Sequence, residues 1–223
     1  MAGAADRPRR APVARETLRR ALADTRPPED PSRGHLIGAR RELSPALARI
    51  AASPARPAAV LLPLLDRPSA KHGVSVLFTE RADHLRHHAG QVSFPGGGFE
   101  HHENDPRSAA LREAEEEIGL LATQVEVLGY LLPQLTVSGY AVTPVVGWVS
   151  GDFRPRPDPA EVASVFEVPL SHFLDPGNLT YREREWEGAC FEVAEFRWQG
   201  HLIWGATAVM LLRLCESLDL NKL

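Results

Sequence analysis

The sequence predicts an α/β fold, a mixed β-sheet held between helical layers. Three observations predict it. Short apolar runs bounded by turn residues recur from Arg56 onward. One well-capped helix interrupts them at residues 105–120, and an apolar run at helical spacing closes the chain.

Residues 1–34 stand apart from that pattern. They carry Arg7, Arg9, Arg10, Arg15, Arg19, Arg20, Arg26 and Arg33, several prolines and no aromatic residue. "ARETLRRALAD" suits a short helix and "RPPEDPSRG" reads as linker. The composition predicts a flexible Arg/Pro-rich N-terminal arm over 1–34, mobile or loosely docked, ahead of one domain over 35–223. An arginine-rich start also suits an organellar presequence, but Asp6, Glu16 and Asp24 count against that.

The domain then reads as follows. "AAVLLPLL" and "GVSVLFTE" predict adjacent strands with a turn at "DRPSAKH". "QVSF" predicts a third strand, stopped by Pro95 and three glycines. "DPRSAALREAEEEIGL" predicts a helix, with Asp105 as N-cap, Pro106 at the first helical position and Gly119 at the C-terminal stop. "VEVLGYLL" and "GYAVTPVVGWVS" predict two more strands, and "RPRPDPAE" a polar loop. "VASVFEVPLSHFL" mixes strand and helix signals. "CFEVAEFRW" and "HLIW" predict a hairpin around "QGH", and "GATAVMLLRLCESL" the closing helix.

Composition narrows the function classes. The 223 residues, 43% of them hydrophobic, suffice for one domain with a core that needs no disulfides. A net charge of -4 and a pI near 6.1 give no electrostatic case for nucleic acid. Cys190 and Cys215 are the two cysteines, too far apart in sequence for a zinc motif, and read as buried core thiols. No apolar run reaches the roughly 18 residues of a membrane span, and no signal-peptide core follows Met1. The expected setting is the cytoplasm, with no membrane and no nucleic-acid partner.

The helix after the glycines carries the chemistry. At about 100° per residue, Glu113, Glu116 and Glu117 share one arc, while Ala110, Leu111, Ala114 and Ile118 form a separate core stripe. Glu115 points to water. Among solvated helices such an acidic face is ordinary surface, at a cost of a few tenths of a kcal/mol for like charges at i,i+4. A tight glycine loop immediately upstream changes that reading. Clustered hard oxygens with an open side suit Mg²⁺ or Mn²⁺, which bind through few carboxylates plus substrate phosphates. The glycines let backbone approach a ligand closely.

Arg112-Glu113-Ala114-Glu115-Glu116-Glu117-Ile118-Gly119-Leu120 resembles the second half of the Nudix box, G-x5-E-x7-R-E-U-x-E-E-x-G-U, with Ala114 small for its aliphatic position. In the strict register Gly98 and Asn104 fall where the family has Gly and Glu. One extra residue puts Gly97 and Glu103 there, a spacing that resembles the coenzyme A pyrophosphatase branch. "LFTERADHLRHHAGQVSFPGG", Leu77 to Gly97, is similar to the segment that marks CoA-directed members, with Ala82 in place of the usual Ser. The flanks "VSGYAVTPVVG", "EVASVFEVPL" and "IWGATA" are similar too, so the resemblance covers about residues 57–215.

The resemblance implies a Nudix-type α/β/α sandwich over 35–223. It implies hydrolysis of the diphosphate of coenzyme A or acyl-CoA to 4'-phosphopantetheine, or its acyl form, and adenosine 3',5'-bisphosphate. Glu113, Glu116 and Glu117 would be metal ligands, with a carbonyl near Gly97 and with Glu103 in support, directly or through water. Arg112 would orient the carboxylates. Glu161, on the "DPAEVASVF" loop, is the candidate general base, ahead of Asp158. Arg81 and Arg86 offer forked donors for phosphate, and Phe94, Gly96 and Gly97 would line the substrate site, Phe94 as pocket wall or core. Family members often dimerise, which allows a homodimer. The competing readings are a Nudix hydrolase for ADP-ribose or NADH and a non-catalytic nucleotide sensor. The sensor reading fits poorly with three retained box glutamates. The pairs His87-His88 and His101-His102 lack zinc-site spacing and read as solvated, although His88 matches the family segment.

Overall fold

A computed structural model of the protein describes residues 13–36, 45–67, 73–186 and 189–218. In chain order the elements are α1 (Arg15–Leu22), α2 (Pro45–Ala52), β1 (Arg56–Asp66), β2 (Val74–Arg81), β3 (Val92–Ser93), β4 (Gly96–Gly98) and α3 (Pro106–Ile118). Then come β5 (Val125–Tyr130), β6 (Gln134–Leu135), β7 (Tyr140–Val149), β8 (Val162–Pro169), α4 (Leu170–Phe173), β9 (Leu179–Trp186), β10 (Ala189–Trp198), β11 (His201–Trp204) and α5 (Gly205–Ser217).

The main sheet runs β3-β2-β1-β7-β5, with β4 on β1, β6 on β7 and β8 on β2. It is mixed because β1 and β7 pair in parallel from Arg56↔Tyr140 to Leu65↔Val149, while its other ladders are antiparallel. β1 is central and its near-continuous apolar sequence is buried on both faces, as a covered parallel strand requires. Ala59, Leu61 and Leu65 pack with the apolar stripe of α3, whereas Leu62 and Leu64 join the opposite core with α1 and α5. Pro63 is tolerated because β1 pairs with β4 only at Ala58–Val60 and with β2 only from Leu64. Its missing N–H falls in the gap between those partners.

The two halves of "VASVFEVPLSHFL" resolve as β8 followed by the single turn of α4. The expected hairpin around "QGH" is β10–β11, with Gln199 and Gly200 both at positive φ as a tight hairpin turn demands. It belongs to a second, three-stranded sheet ordered β11-β10-β9. β9, "LTYREREW", was not expected as a strand, since its alternating Arg and Glu present no apolar face.

Several expectations change. The part of the arm that is described is docked, not loose: Leu18 and Leu22 of α1 are fully buried in the core. Arg15 and Arg19 pair with Glu126 on β5, and the Thr25 hydroxyl accepts the Tyr130 amide at 2.9 Å. Cys190 is exposed, not a core thiol, because it lies toward the tip of the β9–β10 hairpin. Cys215 is largely enclosed, and burial pushes its thiol up to about 12. The first twelve residues of the arm and most of the "DRPSAKH" turn lie outside the described residues. No helix among the described residues is long and apolar enough to cross a membrane.

Candidate active site

The site is built where β4 hands the chain to α3. Asp105 caps the helix by accepting the Arg107 amide at 3.2 Å, and Pro106 takes the first position. At the other end Gly119 adopts a left-handed conformation, with its amide bonded to Glu115 O and that of Leu120 to Ala114 O. Ala110, Leu111, Ala114 and Ile118 face the core as expected, so the arc bearing Glu113 and Glu117 is turned toward the glycine strand.

Two of the three glycines of β4 are tightly enclosed. A Cβ on Gly96 would lie 2.4 Å from Ala59 O, and one on Gly97 would lie 2.3 Å from Glu113 Oε1. Gly97 therefore forms the seat of the Glu113 carboxylate.

Arg112 ties the two halves of the motif together. Its Nε and Nη2 donate to the two oxygens of Glu103 at 2.9 and 3.1 Å. Nη1 donates to Glu113 Oε1 and Glu116 Oε2, both at 2.9 Å, and Nη2 also to Gly98 O at 3.1 Å. Glu103 further accepts the Glu100 amide at 2.8 Å. The Arg112 guanidinium, with that amide, holds the Glu103 carboxyl below the usual range despite burial. The register with one extra residue is thus the one the fold uses, since Glu103 and not Asn104 grips the arginine.

Glu117 is different in kind. Its side chain is 3% exposed and its Oε2 has no hydrogen-bond partner. Burial first, then the neighbouring Glu113 charge, pushes its carboxyl up to about 8, with Arg81 pulling the other way and Glu161 adding to the rise. Burial also raises Glu113, against the bonds from Arg112. Arg81 Nη1 lies 4.0 Å from Glu117 Oε1, and Arg81 Nε is itself buried without a partner. A lone buried acceptor beside a lone buried donor is a pair that folding alone does not satisfy.

Among the described residues no three His, Cys, Asp or Glu side chains converge as a preformed cation cluster. Glu113 and Glu116 bend onto Arg112, whereas Glu117 stands beside Arg81. The donor set still fits Mg²⁺ or Mn²⁺. It offers hard carboxylate oxygens, one of them buried and unpartnered, beside a glycine whose added Cβ would meet the Glu113 carboxylate.

Glu161 is exposed, and its charge reaches both Glu113 and Glu117. Its loop is bolted to the end of α3. The amides of Arg156 and Asp158 donate to Ile118 O and Glu117 O at 2.8 and 2.9 Å, and Ala82 donates to Glu161 O at 2.9 Å. Sequence reasoning missed this attachment, which runs through backbone atoms that carry no residue signature.

The substrate-side residues divide. Arg81 belongs to the site. Arg86 is exposed on the 82–91 loop, away from the carboxylates' hydrogen bonds. Phe94 does not line the site: it is 2% exposed, stacked on Phe78 with centroids 5.1 Å apart, in the core on the far side of the sheet from α3. Strand alternation around Pro95 turns it away from the glycines. His88 bonds Gln91 at 2.9 Å and His102 faces Glu100 at 3.5 Å, neither as part of a ligand cluster.

The chain is similar to known proteins over much of its length. The NUDIX domain family model matches residues 55–196. The chain is 41% identical over 164 residues to NudL of Photorhabdus laumondii subsp. laumondii, an uncharacterized Nudix hydrolase, covering 74% of this chain and 86% of that one. It is equally similar, at 41% over 165 residues, to NudL of Yersinia pestis, covering 74% and 81%. Among solved structures, the M. smegmatis Nudix hydrolase RenU superposes with a TM-score of 0.44 at 28% identity, covering 52% of this chain and 71% of that one. Because the family match spans the glycine strand, all of α3 and the Glu161 loop, the chain belongs to the Nudix hydrolase family.

Proposed function

We propose that this Nudix hydrolase is a metal-dependent pyrophosphohydrolase that cleaves the diphosphate of coenzyme A or acyl-CoA. The observation that carries the reading is the buried pair at the centre of the site, Glu117 with a free Oε2 and Arg81 with a free Nε. A cation and a diphosphate oxygen are the complementary partners for those two atoms. Substrate choice rests on the Leu77–Gly97 segment, which contains Arg81. That segment closes on itself: Gly90 donates to Arg81 O at 3.0 Å, and Arg81 donates to Gln91 O at 3.0 Å.

In this reading Glu113, Glu116 and Glu117 hold Mg²⁺ or Mn²⁺, with a carbonyl of the glycine strand as a further donor and Glu103 behind them. When bound, the ion neutralises charge on the diphosphate oxygens and lowers the pKa of water. Arg112 keeps Glu113 and Glu116 gathered when the ion is absent. Arg81 orients one phosphate. Glu161 takes the proton from the attacking water, its exposure giving solvent a route to the loop. The new bond joins water oxygen to phosphorus, and the bridging P–O bond breaks. The products are 4'-phosphopantetheine, or its acyl form, and adenosine 3',5'-bisphosphate.

The test is kcat/KM for CoA, an acyl-CoA, ADP-ribose and NADH, each with Mg²⁺ and with Mn²⁺. The reading expects CoA or acyl-CoA to lead by at least about tenfold. A lead for ADP-ribose or NADH would keep the carboxylate site and discard the coenzyme A assignment.

A further inference from the structure

A second feature lies behind the motif. A cleft of about 850 Å³ opens between residues 29–31 of the N-terminal segment and the 99–104 loop. Pro31, Pro57 and Phe99 give it an apolar lining, and Glu29, Glu100 and His101 give it acceptors. Among the described residues no lysine or arginine lines it. Glu103 is also in its wall, and its carboxylate, turned inward at 4% exposure, accepts from Arg112, which grips Glu113 and Glu116. The cleft and the active site are therefore separated by one layer of side chains.

The outer wall is held in place. The Thr25 hydroxyl accepts the Tyr130 amide at 2.9 Å, Ala55 N donates to Ser32 O at 3.2 Å, and His35 N donates to Pro133 O at 2.8 Å. These bonds fix the segment on both sides of Glu29 and Pro31. Residues 29–31 of the wall lie ahead of the family match, which covers residues 55–196.

We propose that this cleft is a substrate subsite for an uncharged chain bearing amide and hydroxyl donors. Its carboxylates accept such donors and repel phosphate, while the prolines and Phe99 cover apolar carbons. The inference rests on the coenzyme A reading, in which the two ends of the substrate differ sharply. One end is an adenosine carrying a 3'-phosphate, which the acidic wall repels. The other is the uncharged pantetheine arm, which matches the lining. Residues 29–31 and Phe99 are then specificity determinants for the arm, remote from bond cleavage.

The test uses the full chain with Mg²⁺ and two substrates. One is CoA; the other is the methyl ester of 3'-phosphoadenosine 5'-diphosphate, which keeps both charged groups and lacks the arm. Pro31→Trp, which fills the cleft, and Glu29→Lys, which reverses its charge, are compared with the wild type. The expected result is a KM for CoA raised about tenfold in both, with kcat and the methyl-ester kinetics unchanged. Unchanged KM for CoA, or equal rises for both substrates, would overturn the subsite. If Pro31→Trp does not fold, Glu29→Lys carries the same comparison. A binding readout is independent of turnover: pantetheine alone should protect residues 99–104 from hydrogen exchange, and absence of protection would overturn the proposal. Failure of the coenzyme A reading shows separately, as no hydrolysis of CoA by the wild-type chain.

Discussion

The amide of Asp158 donates to the carbonyl of Glu117 at 2.9 Å. Through this bond the loop that carries Glu161 is anchored to the residue whose carboxylate is most deeply buried in the site. The C-terminal carbonyls of a helix need partners outside it, and here the partners are loop amides. A helix-capping requirement thereby fixes where a solvent-exposed acid stands relative to the Glu113–Glu117 face.

Glu116 tests whether that face works as a metal site. It is more than half exposed and its contact in the structure is Arg112, so Glu116→Gln should leave the thermal midpoint nearly unchanged. Metal-dependent turnover should fall on the order of a hundredfold. Full activity with an unaltered Mg²⁺ titration would remove the residue from the site.

Arg112 should matter for stability as well as activity. Arg112→Ala strands the Glu103 carboxylate, which is 4% exposed. Breaking a buried pair on one side costs about 3 kcal/mol or more. Arg112→Lys keeps the charge but not the fork that spans Glu103, Glu113, Glu116 and Gly98 O, and should recover little. Urea denaturation of the two variants measures this directly.

Gly97→Ala separates metal affinity from folding. The added methyl would meet Glu113 Oε1 at 2.3 Å, and a carboxylate can swing away where backbone cannot. The variant should fold, yet need about tenfold or more Mg²⁺ for half-maximal rate, as displaced ligand supports commonly do. An unchanged Mg²⁺ requirement would show that Gly97 does not seat a ligand.

Glu117 sets a pH dependence of stability. Its folded pKa of about 8 lies above the ordinary carboxylate value. The folded chain thus holds that proton longer than the unfolded chain. The group imposes no penalty below the unfolded pKa, and stability is lost as pH rises through that value to about 8. Without metal, the protein should melt lower at pH 8.5 than at pH 6, and Glu117→Gln should flatten the difference. Mg²⁺ should raise the midpoint more at pH 8.5, where the carboxylate is available to it. A wild-type midpoint that rises between pH 6 and 8.5 without metal would contradict this assignment.

Much of this site was legible before the structure. Asp105, Pro106 and Gly119 announce a helix, and the spacing of Glu113, Glu116 and Glu117 announces a face, because caps and 3.6-residue periodicity are local properties. What escaped depends on contacts remote in sequence. Leu18 and Leu22 sit among arginines, so composition suggested an arm, yet two leucines four apart suffice to seed a core face. Phe94 adjoins the glycines in sequence but faces the other core. β9 hides its pairing behind alternating charges. The arrest of Glu113 and Glu116 on Arg112 instead of on one another is a choice of rotamer, which spacing does not encode.

The docked arm gives a further prediction. Leu18→Ala removes a fully buried side chain from the core beside Leu22 and Leu62. It should cost about 2–4 kcal/mol, measurable as a lower urea midpoint with unchanged m-value. A surface-like cost of a few tenths of a kcal/mol would mean that α1 contributes little to the fold in solution.

The most direct measurement is identification of the products formed from CoA by the purified chain, with Mg²⁺ and with chelator. Equal amounts of adenosine 3',5'-bisphosphate and 4'-phosphopantetheine, formed only with the ion, are the predicted result. No cleavage of CoA with Mg²⁺ or Mn²⁺ present, or products unchanged by chelator, would contradict the account.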